Sequence, residues 1–234
     1  MFVEWTSLSR PQSWLVHHHI VKSLRRNLGN IRGRVLDLGC GTKPYEKIIR
    51  PNCQEYIGIE WPMTLHSIKS VDVLGDVLSL PFKENSFDSI VSFEVMEHVK
   101  NPQVFMCEAM RVLRPGGRAL IMTPFIWGEH EQPHDYFRYT QFGLRYLAEQ
   151  AGFEVIAIEP RSTAWGTLVI HFNRRVHRYS DRFRLLRYAM LPLWLDQFVV
   201  LAFEKWDRNY VDETTGFTTI LEKPIVPEVK GSQS

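Results

Sequence analysis

The sequence predicts an α/β fold: a mostly parallel sheet with helices packed on both faces. Two observations carry this expectation. Short apolar runs alternate with helix-patterned segments along the chain, the order that builds a covered parallel sheet. The runs 35–38 and 89–93 are almost continuously apolar, as in strands buried on both sides.

Taken in order, Trp14, Leu15, His18, Val21 and Leu24 recur at helical spacing, and Gly29 stops the pattern, so 14–28 is a predicted amphipathic helix. Strands follow at 34–38 and 55–59, with a short third near 71–74 and a fourth at 89–93. A helix over 103–112 ends at Arg114-Pro115-Gly116-Gly117, and a strand is predicted at 118–123. Thr140 is a suitable N-cap for a helix over 141–150, closed by Gly152, and 153–158 is the sixth strand. Ligands of such sheets bind beyond the C-terminal ends of the strands, which gathers Gly39, Gly41, Glu60, Asp76 and the segment 93–97 around one crevice.

The first strand breaks into Gly39-Cys40-Gly41, a bend that lets backbone approach a ligand closely. A dinucleotide loop needs a third glycine where this chain has Pro44, and no Gly-Lys-Ser/Thr follows to make a Walker loop. Asp37 beside the bend favours a ligand with a positive group and would repel a pyrophosphate. Glu60, at a strand end about 20 residues beyond the first glycine, is placed to accept bonds from ribose hydroxyls. A nucleoside with a cationic tail is S-adenosylmethionine.

Seven short motifs extend this reading: 35–41, 57–60, Gly75-Asp76-Val77, Leu80-Pro81-Phe82, Ser86-Phe87-Asp88, Glu97-His98-Val99 and 111–117. In this order they resemble the class I methyltransferase superfamily, and within it the group called methyltransferase type 11. The resemblance covers roughly 31–160 and implies a three-layer Rossmann-like fold, its seven-stranded sheet closed by an antiparallel strand near 216–224. The implied organisation is a helical segment at 1–30, a cofactor-binding core at 31–160, a helical insertion or cap at 161–213, and the closing strand and tail at 214–234. Two departures stand out. Lys43 replaces a glycine common two residues after Gly41, and Trp61 replaces a small polar residue after the acid.

By this resemblance Asp37, Gly39, Cys40 and Gly41 cradle the amino-acid end of the cofactor and Glu60 with Trp61 meets the ribose. Asp76 and Val77 flank the adenine, while Ser92 and Phe93 offer backbone carbonyls to the amino group. The loop after the fifth strand is rich in chemistry: His130, His134, Asp135, Tyr136, Arg138 and Tyr139. Relatives carry a similar His-Asp-x-x-Arg-x-Thr run that looks structural. Transfer to a hydroxyl needs a base, for which histidine is suited near neutral pH; His134 and then His98 are the candidates. No metal site is expected, because prolines and aromatics disfavour a regular His130-x-x-x-His134 helix.

A net charge of +2 gives no general attraction for nucleic acid. Three scattered cysteines and no basic-plus-apolar leader point to a reduced, cytoplasmic setting. Seven arginines and one acid lie between Arg161 and Arg187, either a solvated helix face or a site for a phosphate-bearing acceptor or an anionic membrane. The apolar stretch 188–203 is too interrupted to span a bilayer. It reads as a buried helix or homodimer contact, with a surface helix serving a lipid-linked substrate as the alternative. The expected function is methyl transfer to oxygen or nitrogen of a metabolite, sugar or lipid precursor. A nucleic-acid methyltransferase and a non-catalytic binding protein on the same fold are the rivals.

Overall fold

Seven strands hydrogen-bond in the order β3-β2-β1-β4-β5-β7-β6 in the computed structural model, which describes residues 11–180, 197–202, 204 and 212–225. The strands are β1 (Arg34–Leu38), β2 (Glu55–Glu60), β3 (Val73–Leu74), β4 (Phe87–Phe93), β5 (Leu113–Pro124), β6 (Glu154–Pro160) and β7 (Gly216–Glu222). All neighbours are parallel except β7, which runs antiparallel to both β5 and β6. This is the three-layer Rossmann-like arrangement that the sequence predicts.

Alternation along each strand divides the core into two layers. Leu36, Ile90 and Ile121 pack with Phe105, Met106 and Ala109 of α3 (Pro102–Val112) and Leu144 and Ala148 of α4 (Gln141–Gln150). Val35, Val91 and Leu120 point the other way, against Leu15, Ile20 and Leu24 of α1 (Pro11–Asn27) and Ile170 of α5 (Ala164–Ser180). A one-turn helix, α2 (Glu46–Ile49), adds buried Ile49 to that second layer. Full burial of such an aliphatic side chain stabilises by about 1.5–3 kcal/mol, so Leu36, Leu38, Ile90 and Ile121 make the central strands the rigid frame.

The caps behave as their residue types require. Asn101 accepts from the Val104 amide (3.3 Å) and Thr140 from the Gly143 amide (3.1 Å). The predicted stop at Arg114-Pro115-Gly116-Gly117 ends α3, but the chain passes directly into β5 there instead of looping out. Gly116 donates to the Lys223 carbonyl and Lys223 to the Gly117 carbonyl (2.8 and 3.0 Å), so β7 extends its pairing over this turn. A Cβ on Gly117 would lie 2.9 Å from the Asp88 carbonyl oxygen, a close approach only glycine permits.

The segment after β6 begins with α5, which crosses α1. Residues 197–202 are helical, and buried His19 of α1 lies 3.0 Å from the Glu204 carboxylate. The remainder of the predicted apolar stretch 188–203, and Arg182, Arg184 and Arg187, fall outside the described residues. No helix among the described residues is long and apolar enough to cross a membrane.

Candidate functional site

β1 delivers the glycine bend to the C-terminal edge of the sheet. Gly39 and Gly41 have φ of +68° and +50°, the left-handed region. A Cβ at Gly39 would lie 2.5 Å from Val95, whereas at Gly41 the nearest atom is in the His66 ring at 3.9 Å. The first glycine is packed shut and the second faces open space.

Lys43, the departure noted above, also has φ in the left-handed region (+55°), which explains why glycine suits that position. Its stem is buried and its ammonium pairs with Asp72, whose carboxylate accepts from the Gly58 amide (2.7 Å). Lys43 is thus folded back under the bend and leaves the open face clear. Cys40 is buried close to Gly58, and burial pushes its thiol far up.

Asp37 is 2% exposed, and one carboxylate oxygen accepts from the Tyr56 hydroxyl. The other, Oδ1, has no hydrogen-bond partner among the described residues. Burial raises its pKa to about 7, opposed by the Tyr56 bond and raised further by Glu60. Glu60 is buried at the end of β2, accepting from the Gly41 amide (2.7 Å) and the Trp61 amide (2.8 Å). Two carboxylate oxygens offer about four acceptor positions, so two remain for hydroxyl donors. An orphaned buried carboxylate oxygen, an open left-handed glycine and a half-used acid form a cradle that fits S-adenosylmethionine: Asp37 for the cation, Glu60 for the sugar.

The other predicted cofactor residues divide by exposure. Asp76 is exposed and accepts from the Leu78 amide (2.8 Å), fixing the turn that sets half-buried Val77 against the core. The Ser92 hydroxyl donates to the Leu38 carbonyl (3.1 Å), so the side chain braces β1. Phe93 packs on Tyr45 with ring centroids 4.6 Å apart. Trp61 is largely exposed and edge-on to His134 of the loop after β5, ring centroids 5.4 Å apart.

That loop is stitched to the turn after β4. The Glu97 carbonyl accepts from the amides of Tyr136 (2.9 Å) and Phe137 (3.3 Å), Tyr139 donates to the Met96 carbonyl (2.8 Å), and His98 Nδ1 lies 2.6 Å from the His134 carbonyl. Asp135 and Arg138 form a two-pronged ion pair (2.6 and 2.7 Å), and Arg138 also donates to the Trp127 and Gly128 carbonyls. Although burial opposes it, the Arg138 bond holds Asp135 down to about 2. The Asp135–Arg138 pair is a brace, and it also accepts from the His130 amide (2.8 Å).

The two candidate bases are placed differently. His134 turns outward, its Nδ1 3.0 Å from the Tyr136 hydroxyl. His98 turns inward and meets His130, ring centroids 4.7 Å apart, over the Glu97 carboxylate. Glu97 is fully buried, and burial with the nearby Glu94 raises its pKa well above the ordinary range. Desolvation, then the neighbouring His98, lowers the pKa of His130. Three contributors escaped the sequence reading. His66 bonds Glu131, which raises the imidazole's pKa and lowers the carboxyl's; Tyr56 bonds Asp37; and buried Arg161 pairs with Glu94 (2.6 Å) while donating to the Thr123 carbonyl (3.0 Å). The Ile-Gly-Ile-Glu spacing marks β2 but not its inward Tyr56, and the run of arginines from 161 onward does not single out the buried Arg161.

Residues 36–121 match the family model described as a methyltransferase domain. That stretch of the chain is similar to the methyltransferase domain of S-adenosylmethionine-dependent methyltransferases. A probable S-adenosylmethionine-dependent methyltransferase of Mycolicibacterium smegmatis is 32% identical over 162 residues, 63% of this chain and 62% of that protein. A demethylmenaquinone methyltransferase of Tropheryma whipplei is 31% identical over 130 residues, 47% of this chain and 49% of the relative. The chain spans about half to three-fifths of the length of those two relatives. In fold it is similar to phosphoethanolamine N-methyltransferase 2 of Haemonchus contortus, solved with S-adenosyl-L-methionine: TM-score 0.57 and 17% identity, covering 92% of this chain and 56% of that one.

Proposed function

We propose that this chain transfers the methyl group of S-adenosylmethionine to an oxygen or nitrogen of a small acceptor bearing an anionic group. The observation that carries the donor half is the orphaned, buried Asp37 oxygen beside the open Gly41 face. A buried carboxylate left without a partner is costly, and a bound ammonium removes that cost. In the reaction the methyl–sulfur bond breaks as the new carbon–oxygen or carbon–nitrogen bond forms. S-adenosylhomocysteine leaves, and the acceptor's proton passes to an imidazole. Since the sulfonium carbon is already activated, the protein contributes mainly alignment.

The acceptor half rests on charge. A cavity of about 360 Å³ is lined by Gly128, Glu129, Gln132 and, from α5, His171, Arg174, Arg175 and Arg178. Its loop wall is the same segment that carries His130 and Glu131 toward the glycine bend. Arg174 stacks on Trp127 (3.7 Å from the ring centroid), which fixes the guanidinium for recognising phosphate or carboxylate. Of the rival readings, nucleic-acid methylation would use these arginines as well, but a groove walled by one loop and one helix suits a small molecule. The test is a methyl-transfer screen with labelled donor and paired acceptors that differ only by a phosphate or carboxylate. Turnover confined to the anionic members supports the proposal, and equal turnover of both members removes the acceptor half.

A further inference from the structure

We propose that Glu97, His98 and His130 form a binding site for a divalent transition ion of zinc type, at the acceptor edge of the crevice. The ligand atoms of these three residues lie within 4.8 Å of one another. Both imidazole Nε2 atoms approach the same oxygen, Glu97 Oε1, each at 3.7 Å. Tetrahedral ligands at ordinary zinc distances stand about 3.4 Å apart, so each imidazole has only a few tenths of an ångström to close on the carboxylate oxygen, and the two rings draw together from within 4.8 Å.

Two independent features mark this as more than a chance cluster. Glu97 is fully buried, yet neither carboxylate oxygen has a hydrogen-bond partner among the described residues. One of these oxygens faces the pair of ring nitrogens. Each histidine is also oriented by its other nitrogen. His98 Nδ1 lies 2.6 Å from the His134 carbonyl, and His130 Nδ1 lies 3.3 Å from both the Gly128 carbonyl and Asp135. A carbonyl or carboxylate on one ring nitrogen fixes the proton there and turns the other's lone pair inward, as in protein metal sites.

The rings are partly exposed, 16% and 21% for the two side chains, which leaves an entry path and an open fourth position. Glu131, 3.9 Å from His98 Nε2, can close that position or stand aside for an acceptor oxygen. Two nitrogens and one carboxylate favour a borderline ion over magnesium, which prefers oxygen ligands. The expectation drawn from the sequence, that no metal binds, considered His130 with His134. The fold instead pairs His130 with His98, whose partners arrive from a different element.

Only the ion's role rests on the methyl-transfer reading: held here, it would position an acceptor oxygen and lower its pKa. Binding itself is tested without cofactor or acceptor. Untagged full-length chain, stripped with a chelator, is titrated with Zn2+ by calorimetry and with Co2+ by visible absorption. One equivalent is expected to bind, with the absorption of a low-symmetry Co2+ site. Glu97→Gln and the double variant His98→Gln/His130→Gln should lose it, and Asp135→Asn should weaken it by about 10–100-fold. Glu97→Gln keeps shape and volume, so it decides the matter if the histidine variants fail to fold. Uptake unchanged in these variants would place the ion elsewhere, for example at His17–His19, and overturn the proposal. Absence of binding at micromolar Zn2+ would overturn it as well. S-adenosylmethionine affinity measured on the same samples keeps a failure of the cofactor reading separate.

Discussion

The two sides of the crevice, proposed above for donor and acceptor, are built by different means. Asp37, Gly39, Gly41 and Glu60 are the ends of adjacent parallel strands, and β1–β2 pairing sets Asp37 opposite Gly58 and Leu38 opposite Ile59. The acceptor side has no such frame. Its histidines hang on the turn after β4 and on a loop held by the Glu97 carbonyl, the Met96 carbonyl and the Asp135–Arg138 brace. Strand registry makes the first side stiff and specific for one ligand, while a stitched loop can be altered to suit different acceptors.

The largest effect that tests this division falls on chemistry alone. His98→Gln should lower kcat by about 10²–10⁴-fold, the range for a lost base or its equivalent, with S-adenosylmethionine affinity unchanged by calorimetry. His134→Gln, whose ring turns outward, should cost less than about tenfold on that scale. The reverse ranking would favour His134, the first candidate from the sequence, as the base.

Glu60→Ala comes next and should act on the other side only. The carboxylate accepts from two loop amides and has capacity for the sugar. Losing hydrogen bonds to a charged group at about 1.5–3 kcal/mol each predicts a cofactor dissociation constant raised by about 100-fold. At saturating cofactor, kcat should change little. A large fall in kcat would show that the glycine bend also positions the acceptor, and the two sides would then be one unit.

This asymmetry also explains how much could be read from the sequence. The glycine bend and its neighbouring acid were legible because local rules fix them: an apolar strand, two left-handed glycines, an acid at the next strand's end. Even the odd Lys43 obeys them, occupying a left-handed position with its side chain folded away. The fold followed from the same alternation, with β5 longer than expected because pairing with β7 absorbs the Pro-Gly-Gly turn. The acceptor side was legible only as composition. That His98 meets His130, and that Arg161 braces Glu94, depends on contacts between residues 32 and 67 positions apart, and no periodicity announces them. The Asp135–Arg138 pair, three residues apart, is a contact of this side that local spacing does carry.

The smallest effect concerns protons on the donor side. Asp37 carries a raised pKa of about 7, and Tyr56, Glu60, Lys43 and Glu46 are the groups that shape it. With the folded pKa above that of an unfolded aspartate, the free protein binds a proton more tightly than the unfolded chain. Its stability therefore falls as pH rises from about 4 toward 7, relative to an Asp37→Asn variant. Cofactor binding should show the opposite trend. A cationic ligand selects the carboxylate, so below about pH 7 binding must first expel a proton, and affinity should weaken by up to about tenfold per unit. Calorimetry in buffers of different ionisation enthalpy would detect the released proton. Asp37→Asn should bind more weakly and lose most of this pH dependence. A pH-independent affinity in the wild-type chain would mean that Asp37 is satisfied by backbone and water, leaving the cofactor's ammonium to be held by carbonyls at the end of β4.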